Sequence, residues 1–348
     1  MLSVLELPSG RDQWLAAWRD LPDDRRDVHC HPDFLALHAT RQAEPVCFLV
    51  SDSRGTALLA ALRQPLPVGL TGPGAECDLQ GCPGYNGFFV KGGDRSLLAD
   101  LDALVQSWAE SNGAIAEFYR LNPLLHDDPP EGYRVVERNR NVAIDLAPGP
   151  DAIRREQYEY SVRKQLAKAD RAGLVLGIAR SPQEVAAAFE VYAHTMERNG
   201  ASQRQSLDYF MRAVELPDDL ATLYTVAHGE DIVACELVTH GASVAYSYLG
   251  GTMAEAFPLA PNEFIKHGIV CDQHARGRRW FLLGGGMSPQ DGIHRYKRKF
   301  SPSNDLSFRV ASRIRLPRAY GRVLAQWTAA VGAESQRYLT MALPYRFP

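Results

Sequence analysis

ATLYTVAHGEDIVACELVTHGASVAYSYLGG, residues 221–251, is the stretch on which the reading of the fold turns. Three runs rich in β-branched and aromatic residues, 221–227, 231–240 and 243–251, are separated by HGE and GA, which are hairpin signals. The expectation is three consecutive antiparallel strands. Upstream, GLVLGIA (173–179) alternates as a strand. SPQEVAAAFEVYAHTMERNG (181–200) then opens a helix with Ser181 as N-cap, Pro182 at the first helical position and Glu184 completing a capping box, and Gly200 closes it. A second helix follows around SLDYFMRAVEL (206–216). Downstream, APNEFIKHGIVCDQHARG (260–277) reads as a helix between Pro261 and Gly277. RRWFLLGGG (278–286) reads as a strand, DGIHRYKRKF (291–300) as a short helix and DLSFRVA (305–311) as a last strand.

The resulting order, β-α-α-β-β-β-α-β-α-β, resembles that of the acetyltransferase (GNAT) fold. A looser version precedes it. LSVLEL is a strand, helices follow at GRDQWLAAWRDL and PDFLALHATR, and PVCFLVS and GTALLAALRQ form a hairpin over DSRG. RSLLADLDALVQSWAESN is a helix, and AIAEFYRL and NVAIDLA are strands. The expected class is α+β with mixed sheets: two tandem GNAT-like domains, 1–150 and 151–348, each a mixed, mainly antiparallel sheet flanked by helices. The Gly/Pro-rich VGLTGPGAECDLQGCPGYNG (68–87) is a long excursion in the first copy, of a length often used as a lid or binding edge.

The bulk numbers agree with two ordinary domains. The chain has 348 residues, 45% of them apolar and 23% charged. No apolar run approaches the ~20 residues a spanning helix needs, and MLSVLELPSGRDQW has no signal-peptide core, so a cytoplasmic location is expected. A net charge of −3 argues against bulk nucleic-acid binding. Charge is uneven, however: 153–173 carries six basic against three acidic residues, and Arg295, Lys297, Arg298 and Lys299 crowd one short helix. The six scattered cysteines are expected as buried free thiols. In HCHP (29–32), Pro32 and Asp33 read as a helix opening, so no metal is expected.

Dinucleotide, P-loop, zincin and nucleophile-elbow motifs are absent. A CoA-dependent GNAT enzyme usually shows Q/R-x-x-G-x-G/A at the start of the helix after its fourth strand, where amides hold the pyrophosphate. Here that place reads GGTMAEAFPLAPNEF (250–264). An acyl-CoA-dependent N- or O-acyltransferase is therefore the alternative and not the first reading. A non-catalytic binding protein that kept the cleft is a further rival.

Four segments resemble one family in the same order: EFYRLNPLL (117–125), YSVRKQLAKADRAGL (160–174), TMERNGASQRQSLDYF (195–210) and HRYKRKF (294–300). They resemble the Fem family, the peptidoglycan-bridge aminoacyltransferases. The resemblance implies amide formation, with an aminoacyl group moved from aminoacyl-tRNA to an acceptor amine on a peptidoglycan precursor or a specialised metabolite. It implies no metal or redox cofactor, the charged tRNA being a co-substrate.

The resemblance places Lys297 and Tyr296 on the family's aromatic-Lys pair. Lys297 is the candidate cation for the developing oxyanion and Tyr296 a shaper of the pocket; the competing reading is a solvated basic helix. Arg198 is a candidate phosphate-binding residue or merely a helix-end cation favoured by the dipole. Tyr209 and Tyr248, with Arg120 and Tyr85 of the first half, are candidate substrate contacts, each with a plain packing or turn alternative. Asp291 and His294 are the nearest candidate proton acceptors. Arg163, Lys164, Lys168, Arg295 and Arg298 are candidate tRNA contacts through phosphate, which carry no sequence information.

Overall fold

A computed structural model describes residues 1–70, 76–125, 128–201, 204–286, 288 and 290–347. It comprises two compact units. The first holds Met1–Arg138 and Phe308–Pro348, the second Asn139–Ser307. This differs from the division expected at residue 150, because the chain returns to the first unit for its last forty or so residues.

The first unit runs β1 (Leu2–Glu6), α1 (Arg11–Asp20), α2 (Pro32–Leu37), β2 (Glu44–Asp52), β3 (Gly55–Pro65), β4 (Cys77–Gln80), β5 (Phe89–Lys91), α3 (Ser96–Asn112) and β6 (Ala114–Arg120). Its chain leaves along β7 (Arg134–Asp145), and the second unit continues with α4 (Pro150–Ala152), α5 (Tyr160–Ala169), β8 (Leu174–Ile178), α6 (Pro182–Arg198) and α7 (Leu207–Val214). Then come β9 (Ala221–His228), β10 (Asp231–His240), β11 (Val244–Thr252), α8 (Pro261–Ala275), β12 (Trp280–Gly284) and α9 (Gly292–Arg298). The chain returns along β13 (Asp305–Ile314) to α10 (Pro317–Val331) of the first unit.

The three strands of 221–252 pair antiparallel as their hairpin signals predict. The capping box at Ser181 and Glu184 is present, with Glu184 N donating to Ser181 Oγ at 3.3 Å and Ser181 N donating back to Glu184 Oε2 at 2.9 Å. In the first unit, the excursion 68–87 contains a strand that sequence reading missed: β4 lies parallel to β6, with Cys77–Gln80 against Ala114–Phe118. Residues 71–75 of that excursion lie outside the described residues.

The partners of two strands are the main departure from expectation. The sequence order assigns the last strand to the second copy, but Val310–Ile314 pairs antiparallel with Arg120–Ala116 of the first unit. Conversely, Val142–Asp145, which the same order assigns to the first copy, pairs with Trp280–Gly284 of the second. Within the units the strand orders are β1-β2-β3-β4-β6-β13, with β5 also on β3, and β7-β12-β11-β10-β9-β8. Alternation announces a strand and its buried face but carries no information on which edge the strand will join.

Each unit has its own core. Phe48, Leu59, Leu101, Val105 and Tyr119 centre the first, while Val226, Val238, Ile269, Phe281 and Phe300 centre the second. Five of the six cysteines are buried free thiols as expected, whereas Cys271 is exposed. His31 of HCHP caps α2, accepting from Asp33 N at 3.1 Å, and His29 sits against Asp27 at 3.0 Å. Among the described residues no group of potential ligands suits a metal ion, and no helix is long and apolar enough to cross a membrane.

Candidate active site

In the second unit, β10, β11, the end of α6, the start of α8 and α9 enclose a cleft of about 390 Å³. The bulge that makes it is local. Along the β10–β11 pair, Leu237 faces Leu249 and Val238 faces Ser247, so Tyr248 is the extra residue. A bulge re-aims side chains that strict alternation would send to opposite faces, and residues 247–252 all line the cleft. Gly251 has a separate task. A Cβ there would lie 2.6 Å from Val191 O and 2.7 Å from Tyr192 Cα, so only glycine lets α6 press against β11. Through that contact Thr252 N donates to Thr195 Oγ1 at 2.8 Å, and Arg198 Nη1 donates to Thr252 O at 3.0 Å.

Arg198 thus reaches across to the strand instead of capping its own helix, and its guanidinium lies 5.2 Å from the centre of the Phe257 ring. Tyr209, buried on α7, meets the cleft residue Tyr248 hydroxyl to hydroxyl at 3.3 Å. Lys297 lines the same wall and donates to Gly285 O at 2.8 Å. Burial, followed by the nearby Lys266 ammonium, lowers its pKa to about 8. Tyr296 also lines the cleft, with its ring edge-on to Phe300 and its phenol pKa pushed well up by burial. Lys297, Tyr296, Arg198 and Tyr248 are therefore brought together, with Tyr209 behind Tyr248.

The remaining candidates are placed elsewhere. Arg120 and Tyr85 belong to the first unit. There Arg120 lies over the Phe118 ring, and the ring of Tyr85 packs edge-on to His29 and Phe308. On α5, Arg163 donates to the backbone carbonyls of Arg155 and Tyr158, while Lys164 and Lys168 are exposed. Arg295 donates to Gln290 O at 2.7 Å, and exposed Arg298 lies 3.7 Å from Asp305. Both proton-acceptor candidates hold structural posts: Asp291 N-caps α9, accepting from His294 N at 2.8 Å, and His294 is buried 3.1 Å from Asp305 Oδ1.

Gly286, ahead of α9, makes this cap possible. A Cβ on Gly286 would fall 2.0 Å from Asp291 Oδ1, so this turn has room for the chain's own carboxylate only because residue 286 has no side chain. Gly286→Ala is expected to displace that cap, worth roughly 0.5–2 kcal/mol, and to speed amide exchange across 292–298. Unchanged hydrogen exchange there would show that the cap does not hold α9.

Sequence reading missed two cleft residues. Glu236 on β10 and Lys266 on α8 form a buried ion pair, and Lys266 Nζ also donates to Ser247 Oγ at 2.7 Å. The signal was present: Glu236 is the one charge in the apolar run IVACELV, and Lys266 falls on the inward side of an amphipathic helix.

The fold and this cleft define a class. Residues 156–298, most of the second unit, match the model of the acetyltransferase (GNAT) domain, and the unit has that fold. Over most of its length the chain has a Fem-like fold. It is similar to FemX at TM-score 0.72 and 12% identity, covering 92% of this chain and 99% of that one. It also resembles the C-terminal DUF2156 domain of a putative lysylphosphatidylglycerol synthetase from Agrobacterium fabrum (TM-score 0.57, 15% identity, 92% and 97% covered). A third similar structure is L-PGS from Bacillus licheniformis (TM-score 0.54, 13% identity, 90% and 95% covered). No curated protein matches the sequence.

Proposed function

We propose that the second-unit cleft transfers an aminoacyl group from aminoacyl-tRNA to an acceptor amine. The observation that carries this reading is Lys297, an ammonium anchored on Gly285 O in the wall of a GNAT cleft. In aminolysis of an ester, negative charge develops on the carbonyl oxygen, and a fixed cation beside it stabilises the transition state. An aminoacyl ester is already activated, so no covalent enzyme intermediate is required. Arg198 and the tyrosines Tyr248 and Tyr296 shape the remainder of the pocket.

The donor assignment follows the resemblance to the Fem family and the character of the α8 start. In place of a glycine-rich turn there is Ala260 followed by Pro261, which has no N–H to offer a pyrophosphate. The exposed cations Lys164, Lys168, Arg295 and Arg298 would meet the tRNA backbone over a short range. No metal or redox cofactor enters this chemistry.

The test uses tRNA charged with a pool of radiolabelled amino acids, incubated with the protein and a cell extract. Label is followed into the small-molecule, muropeptide and lipid fractions, the last because one structurally similar protein is named as a putative lysylphosphatidylglycerol synthetase. Ribonuclease-sensitive transfer is expected. Turnover of acyl-CoA with no transfer from any charged tRNA would reassign the donor.

A further inference from the structure

Glu236 stands in an otherwise apolar strand and is 4% exposed. Its Oε1 receives Lys266 Nζ, whose remaining bond to Ser247 Oγ fixes the ammonium on β11. Among the described residues Glu236 Oε2 accepts no hydrogen bond, and Glu236 lines the same cleft as Lys297. The charged and titratable groups around it are Lys266 from α8, Lys297 and Tyr296 from α9, Arg198 from α6, Tyr248 from β11 and Cys235 beside it on β10. Burying an ion pair in a strand and helix adds nothing to stability that apolar residues of similar volume would not supply. A pair retained in a cleft wall, with one carboxylate oxygen uncommitted, suits an incoming cation.

We propose that Glu236 receives the acceptor's amino group, holding it as an ammonium and then taking its proton, while Lys266 positions the carboxylate. This rests on the acyl-transfer reading above and assigns the nucleophile of that reaction as a protonated amine. Of the three ammonium protons, one passes to Glu236 and on to solvent. The freed nitrogen lone pair forms the C–N bond to the acyl carbon, and the bond from that carbon to the donor oxygen breaks. The second proton goes to the leaving oxygen, and the third remains on the amide nitrogen.

The experiment compares two surrogate acceptors at pH 7, ethylamine, which is protonated, and methoxyamine, which is neutral, with the donor found active in the labelling assay. Glu236→Gln is expected to lose roughly 100-fold in kcat/KM with ethylamine and less than about 10-fold with methoxyamine, which has no proton to give up before attack. Because the Glu236→Gln change leaves Lys266 buried without its counter-ion, the double variant Glu236→Gln/Lys266→Met is measured alongside. It is expected to melt close to the wild type and to show the same contrast between the two amines. Equal losses with both amines would reduce Glu236 to a wall-supporting role, and no loss with ethylamine would remove it from the reaction. Either result overturns the assignment. Wild-type protein that transfers from neither charged tRNA nor acyl-CoA would instead overturn the acyl-transfer reading itself.

Discussion

Lys297→Ala is expected to lower kcat by roughly 100- to 1000-fold, the range found when one oxyanion donor is removed, while leaving the melting temperature close to that of the wild type. Lys297 is half-buried and its ammonium is held at 2.8 Å by Gly285 O, so its position is set before substrate arrives. Arginine is not expected to rescue the loss, because a planar guanidinium cannot occupy a point-charge site of this size. The pH dependence follows from the same geometry. The form required is the ammonium, whose pKa is lowered to about 8 by burial and then by Lys266. Activity carried by this group is therefore full below that value and falls as pH rises through it. Lys266→Met removes the like charge and should move the alkaline limb of kcat/KM to higher pH. An alanine variant with wild-type kcat, or a limb that does not respond to Lys266, would take Lys297 out of the mechanism.

The second large effect is on stability and lies in the first unit. The side chain of Arg315, fully buried, binds Glu117, reaches Asp102 Oδ1 at 2.7 Å and donates to Tyr133 Oη at 2.8 Å. The Tyr133 hydroxyl donates in turn to Glu117, which is also fully buried. Arg315→Ala strands that carboxylate, and breaking a buried pair by removing one partner costs about 3–5 kcal/mol. For a unit of this size the melting transition should fall by roughly 6–20 °C. Calorimetry should show the loss in the first unit's transition. The double variant Arg315→Met/Glu117→Gln, which leaves no unpaired charge, should recover part of it. A shift under about 2 °C for Arg315→Ala would mean that water or rearrangement satisfies Glu117.

Most elements were legible because their signals are local. The capping box at Ser181, the hairpin breaks at 228–230 and 241–242 and the closing Gly277 each act within a turn of chain. Among the cleft residues, Lys297, Tyr296 and Arg198 were found through segment resemblance, and Tyr248 through its strand. What was not legible depends on register and partner choice. The bulge at Tyr248 is a one-residue mismatch between two strands, visible only once they are paired. Strand β4 is four residues in a Gly/Pro-rich setting. Asp291 and His294 looked chemical but serve as a cap and a buried contact, whereas Glu236 and Lys266 were passed over as isolated charges in apolar patterns. Such charges were the stronger indication, since burying an ion within an apolar run has a cost that a carboxylate capping a helix does not incur.

The way β7 and β13 are placed has a consequence for the history and handling of the molecule. A fragment ending at 150 lacks the strand that pairs with β6, and a fragment beginning at 151 lacks the one that pairs with β12. Each half on its own exposes an unpaired strand edge, the arrangement that invites aggregation. If the two copies arose by duplication, they have since traded strands along the chain: the contiguous segment 139–307 keeps the pairing of β7 with β12, whereas the first unit needs both 1–138 and 308–348 to cover β6.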